Sequence, residues 1–178
     1  MDLTIAWAAL RELVGSWEGT GHGEFPTIEP FEYRESLDVT EPHRRELLQY
    51  RQRTWRAGGD AETDSHIEAG FITLNQDGMV EWLNVQGTDR AEVLSGRAIL
   101  NDEELVVELR SLALAHDPRM VRSWRTLRLR GDTLTYEMAM ATTAVPEAAA
   151  SSSTRPSGSC RAVWASSARH GRLRRPSS

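Results

Sequence analysis

The chain has 178 residues, enough for one domain with its own core, and its single cysteine, Cys160, excludes an internal disulfide framework. Hydrophobic residues make up only 39%, which suits a thin-walled β-structure with one wet face better than a dense α/β core. All 21 basic residues are arginine against 26 acids, and the charge is segregated, with −11 over residues 1–147 and +6 over 148–178, so the acidic body argues against nucleic acid as a partner.

Residues 4–13 read as a helix capped by Thr4, with Ile5, Ala9, Leu10 and Leu13 as its apolar stripe and Trp7 beside them. Gly15 ends it. From Trp17 the period becomes two. Strands are predicted from Trp17 through the glycine block, then over Phe31–Val39, Leu47–Trp55, His66–Leu74, Met79–Gln86, Arg90–Leu100, Glu104–Leu112, Met120–Arg130 and Thr133–Met140. Polar turns such as Asn75-Gln76-Asp77-Gly78 and Gly131-Asp132 separate them. The pattern predicts an all-β, antiparallel up-and-down barrel, with the helix plugging one end. Barrels of this size enclose a cavity, so the expected partner is a small molecule. Within residues 15–33, Gly15, Gly19, Gly21 and Gly23 surround the indole of Trp17, which predicts an aromatic ring lying over bare backbone.

After Val145-Pro146 the periodicity is lost. Residues 148–178 are Ala, Ser, Arg, Pro and Gly with little alternation, which predicts a disordered basic tail following a barrel domain over residues 1–147. No apolar run approaches the ~18 residues of a membrane span. The N-terminus has no signal-peptide pattern, and one cysteine suits a reducing compartment, so the expectation is a cytoplasmic protein without nucleic-acid or membrane partners. The oligomeric state stays open, a homodimer among the alternatives.

Six motifs in order carry a resemblance. They are Gly15-x-Trp17-x-Gly19-x-Gly21, Phe25-Pro26-Thr27-Ile28, Phe31-x-Tyr33, Tyr50-x-Gln52-x-Thr54, His66-x-Glu68-x-Gly70-Phe71, and Leu134-x-Tyr136-x-x-x-Met140. Together they make residues 13–147 similar to the nitrobindin family of haem-binding β-barrels, a resemblance that implies about ten strands and a shape like that of fatty-acid-binding proteins and lipocalins. The resemblance implies haem b at the barrel mouth and conversion of peroxynitrite to nitrate at ferric iron, or nitric oxide binding at ferrous iron. It also implies that Thr27 lies against the porphyrin edge, that His66 faces the distal side, and that an axial histidine follows the last Met-rich strand. That histidine is expected near Ala150 or Ser151, yet none occurs between His116 and His170. The reading is therefore a barrel that has lost iron ligation, and no metal ligand is assigned. Two alternatives stay open. A change of reading frame near residue 150 would hide the histidine, because serine codons of the TCN type read one base later include histidine and leucine. Otherwise the barrel is haem-free and binds a small apolar or fatty-acid-like molecule, with Arg125 meeting a carboxylate.

Other candidates have plainer readings. His22, His43 and His116 fit exposed loop positions, and His170 stands about twenty residues too late to replace the axial ligand. Arg125 lies on an apolar face and requires a partner, either a ligand or an internal carboxylate from Glu68, Glu81 or Glu137. Met138 and Met140 fit packing against the cavity contents or the core. No nucleophile elbow, glycosidase carboxylate pair or His-x-x-x-His spacing occurs, so no catalytic residue is assigned.

Overall fold

The computed structural model describes residues 2–26, 28–42, 46–56, 65–101, 103–145 and, as backbone, 159–168. A helix, α1 (Leu3–Arg11), precedes ten strands: β1 (Gly15–Phe25), β2 (Ile28–Thr40), β3 (Leu47–Arg56), β4 (His66–Leu74), β5 (Val80–Gln86), β6 (Ala91–Asn101), β7 (Glu104–Ala115), β8 (Met120–Arg130), β9 (Thr133–Thr142) and β10 (Ser159–Ala168). Each strand pairs antiparallel with its neighbours in the chain, and β10 joins β1 to close the barrel. The up-and-down barrel is the predicted one. No helix among the described residues is long and apolar enough to cross a membrane.

The tenth strand departs from the expected boundary at residue 147. Ser159–Ala168 lies inside the stretch read as a disordered tail, yet it pairs with β1 on one side and β9 on the other, with Gly21 opposite Ala162 and Ala162 opposite Tyr136. Without it, the ladder groups of β1 and β9 would form two open edges. Backbone pairing defines this strand, so hydrophobic patterning does not announce it. The rest of the expected tail lies outside the described residues.

The helix cap lies two residues earlier than the sequence suggests. Asp2, not Thr4, is the cap: its Oδ1 accepts from the backbone N–H groups of Thr4 at 2.7 Å and Ile5 at 3.4 Å. The buried face is Ala6, Trp7, Ala9 and Leu10, whereas Ile5 is 53% exposed. The helix packs near β4 and β6 and closes one end of the barrel. Gly15, at φ 151°, turns the chain from helix into β1. Trp17, two residues on, is buried and donates from Nε1 to the Leu13 carbonyl at 2.9 Å. The indole is thus fixed to the helix exit. The rings lying over glycine backbone are those of Tyr33 on Gly21 and Phe31 on Gly23, where a Cβ would overlap them.

Alternation sends every second side chain inward, and the inward residues change character along the barrel. At the helix end they are Leu37, Leu48, Ile72, Val80, Leu94 and Leu127. Two residues further along each strand they become Glu35, Tyr50, Trp82, Glu92 and Arg125, with Gly70 in β4, and then Gln52 and Glu68. The apolar half anchors the helix. The polar half faces the other end, where the candidate site lies.

Candidate functional site

The polar half is organised around one arginine. Arg125, on β8, is 1% exposed. Its Nη1 donates to Glu68 Oε1 at 2.6 Å and its Nη2 to Glu68 Oε2 at 3.0 Å, a bidentate pair between β8 and β4. The same Nη2 donates to Glu92 Oε2 on β6 at 3.0 Å. Tyr50, on β3, donates its hydroxyl to Glu68 Oε1 at 2.9 Å. Asn84 donates to Glu92 Oε2 at 3.3 Å, and the Arg90 Nε lies 3.2 Å from Glu92 Oε1. The Arg125 guanidinium also stands 5.9 Å from the Trp82 ring and 6.0 Å from that of Tyr136.

Charge explains the arrangement. Burial alone would raise the Glu68 carboxyl, but the guanidinium of Arg125 overrides it and holds Glu68 well below the ordinary carboxylate range. Arg125 is correspondingly held above its ordinary value by Glu68 despite its own burial. Burial first, and the Glu68 charge second, push the Tyr50 hydroxyl up. Glu68 is therefore an anion and Tyr50 a neutral donor.

Above this network, at the mouth away from the helix, lies a cavity of about 160 Å³. Phe31, Tyr33, Tyr136 and Met138 give it aromatic and thioether walls; Glu35, Gln52, Thr54 and Glu68 give it a polar floor; Arg56, Ser65 and His66 complete the rim. Glu35 Oε1 accepts from Gln52 Nε2 at 2.5 Å and from Thr54 Oγ1 at 3.1 Å. The His66 side chain is 28% exposed, and its Nε2 lies 3.5 Å from Glu68 Oε2. A larger apolar concavity of about 510 Å³ runs over the outer wall, lined by residues such as Phe71, Leu83, Val85 and Val93. It shares no residue with the mouth cavity.

The residues singled out in the sequence fall into distinct places. His66 lines the mouth cavity. Thr27, Ala150, Ser151, His43 and His170 lie outside the described residues. His22 is exposed and pairs with Glu32 at 2.7 Å, and exposed His116 sits in a turn at φ 65°. Arg125 takes the internal partner, Glu68; Glu81 instead accepts from Asn75 at 3.2 Å. Met138 lines the mouth cavity and packs on the core, while Met140 is half-buried. Trp82 packs edge-on to Tyr50 with ring centres 4.8 Å apart, and Trp55 and Trp124 lie under Arg53 and Arg122. Gly15, Trp17, Gly19 and Gly21 build β1. Glu92, Arg90 and Asn84 escaped the sequence reading. Their signal was alternation: Arg90, Glu92 and Leu94 share the inward face of one predicted strand. Among the described residues no group of three or more His, Cys, Asp or Glu is placed to hold a metal ion.

Comparison with known proteins agrees with this architecture. Residues 6–155 match the model of the THAP4-like, heme-binding beta-barrel domain. A protein of Nocardia farcinica named peroxynitrite isomerase is 34% identical over 142 residues, covering 78% of this chain and 83% of its own. A protein of Mycobacterium ulcerans named peroxynitrite isomerase 2 is 33% identical over 148 residues, covering 82% and 90%. The crystal structure of Rv2717c from M. tuberculosis superposes with a TM-score of 0.78 at 25% identity, covering 94% of this chain and all of that one.

Proposed function

Because the chain belongs to the THAP4-like, haem-binding β-barrel family, the nitrobindins, we propose that it is a small-molecule-binding barrel of that kind whose own residues no longer ligate haem iron. The peroxynitrite isomerisation named in its relatives is then absent from the chain as it stands.

The observation that carries this reading is the missing donor. No histidine occurs between His116 and His170, and the expected position holds Ala150 and Ser151. The residues at the mouth do not fit a ligated porphyrin. Their cavity, as the described residues bound it, is about 160 Å³, small for a porphyrin. Iron bound without an imidazole from the chain is held by ring burial alone, and a pocket of that size offers little. Nor does the cavity suit a fatty acid, since both Nη atoms of Arg125 are committed to Glu68 and Glu92.

A second reading is favoured by one observation. All 26 acids lie at or before Glu147, and the composition turns to Ser, Arg and Pro at the place where the histidine is expected. A frame change there makes Ser151-Ser152-Ser153 the shadow of a histidine-containing run. The nucleotide sequence around codon 150 separates the two: a downstream frame encoding His-Leu supports the frame change, and its absence removes it.

The loss itself is tested by restoration. Ala150→His and Ser151→His are titrated with ferric haem beside the unaltered protein. The proposal expects one of them to gain a stoichiometric Soret band of a histidine-ligated ferric haem. Failure of both contradicts the assignment of the lost donor to this position.

A further inference from the structure

Among the described residues the mouth cavity holds one imidazole, that of His66, and its Nε2 lies 3.5 Å from Glu68 Oε2 in the network beneath it. Glu68 is an anion on geometric grounds alone, because Arg125 grips both of its oxygens. A carboxylate accepts and does not donate, so the His66 Nε2 beside Glu68 Oε2 carries the hydrogen. In the neutral form of the ring Nδ1 is then the unprotonated nitrogen, and it has no hydrogen-bond partner among the described residues. Tyr50, donating to the other oxygen of Glu68, keeps the carboxylate from rotating away.

We propose that Glu68 is a positioning residue: it fixes His66 as the Nε2–H tautomer, so that the Nδ1 lone pair is the acceptor by which the mouth cavity recognises a compact aromatic ligand carrying one hydrogen-bond donor. The walls set the ligand class. Tyr33, Tyr136 and Met138 present rings and a thioether around about 160 Å³, which suits a single aromatic ring. The proposal rests on the small-molecule reading above only in taking this cavity as the ligand site; the tautomer is set whether or not haem binds.

The experiment is NMR of the His66 ring nitrogens in the full chain, followed along a pH series and read where the spectra show the neutral ring. The native protein is expected to show protonated Nε2 and unprotonated Nδ1; the opposite tautomer overturns the proposal whatever any variant does. In Glu68→Gln the amide can donate as well as accept, so the two nitrogen shifts are expected to move toward each other; an unchanged tautomer overturns the positioning role. Tyr50→Phe, which leaves the charge of Glu68 in place, is expected to keep the tautomer. Phenol and toluene are the probes. Phenol is expected to shift the Nδ1 resonance upfield on binding while toluene leaves it in place. Equal responses to the two, or none to phenol, contradict recognition through Nδ1. These outcomes do not depend on haem, so they stand or fall separately from the loss of iron ligation.

Discussion

Arg125 and Glu68 are 57 residues apart in sequence and bonded through both carboxylate oxygens in the barrel interior, at 2.6 and 3.0 Å. The pair is buried on both sides, so removing one member leaves a charge without water. Arg125→Leu takes the bidentate cation from Glu68 and leaves Glu92 with Arg90 as its one cation among the described residues, whereas Glu68→Leu leaves Arg125 still paired with Glu92. Breaking a buried pair costs about 3–5 kcal/mol. Arg125→Leu is expected at the upper end of that range and Glu68→Leu below it, read from urea midpoints. Equal losses would show that Glu92 contributes nothing to holding Arg125.

The same pair predicts an acid limb. Glu68 is depressed in the folded protein relative to its unfolded value of ~4.3. A depressed carboxyl contributes stability that is complete above the unfolded value and is lost as pH falls through the folded one. Stability is therefore expected to decline from about pH 5 downward. Glu68→Gln, less stable at neutral pH, should show a shallower decline. Parallel pH profiles for the two proteins would remove Glu68 as the source.

Tyr50 predicts an alkaline limb of opposite sign. Its hydroxyl is raised in the folded protein, so the stability it contributes is complete below the unfolded tyrosine value of ~10 and is lost above it. Tyr50→Phe is expected to lose about 1 kcal/mol at neutral pH through the missing bond to Glu68, and to flatten the profile above pH ~10. Thermal melts across the alkaline range check both statements, and a profile unchanged by the substitution contradicts them.

The strand positions were legible because each strand has one wet face. Leu134, Tyr136 and Met138 alternate with Thr135 and Glu137, and β9 follows that pattern from Thr133. The Arg125 pairing was half legible: an arginine in phase with Leu127 and Leu129 demands a partner, and Glu68 was one of three acids on offer. What the sequence did not convey was the choice among them, since register across the barrel brings β4, β6 and β8 together at one depth. Glu92 was missed for that reason. The ring stacked on the glycines was legible as a type of contact but assigned to Trp17, because proximity in sequence favoured it over Tyr33, which comes from the paired strand opposite Gly21. β10 was not legible, because ladder pairing and not alternation defines it.

The Gly21–Tyr33 contact predicts a steric effect on the mouth. A Cβ at Gly21 overlaps the Tyr33 ring, which must move within the cavity it lines. Gly21→Ala is expected to cost about 1–3 kcal/mol, in the range of overpacked interiors. It is also expected to weaken phenol binding at the mouth more than it weakens helix docking at the far end. A fully retained phenol affinity would place Tyr33 outside the site.

The central claim is that this chain keeps the family's barrel without a protein bond to haem iron. It is tested most directly by titrating the unaltered protein with ferric haem and following the Soret region together with the electron paramagnetic resonance of the iron. The account predicts no stoichiometric Soret shift and a signal of unligated haem. A one-to-one complex with the signature of a histidine-bound ferric haem would contradict it.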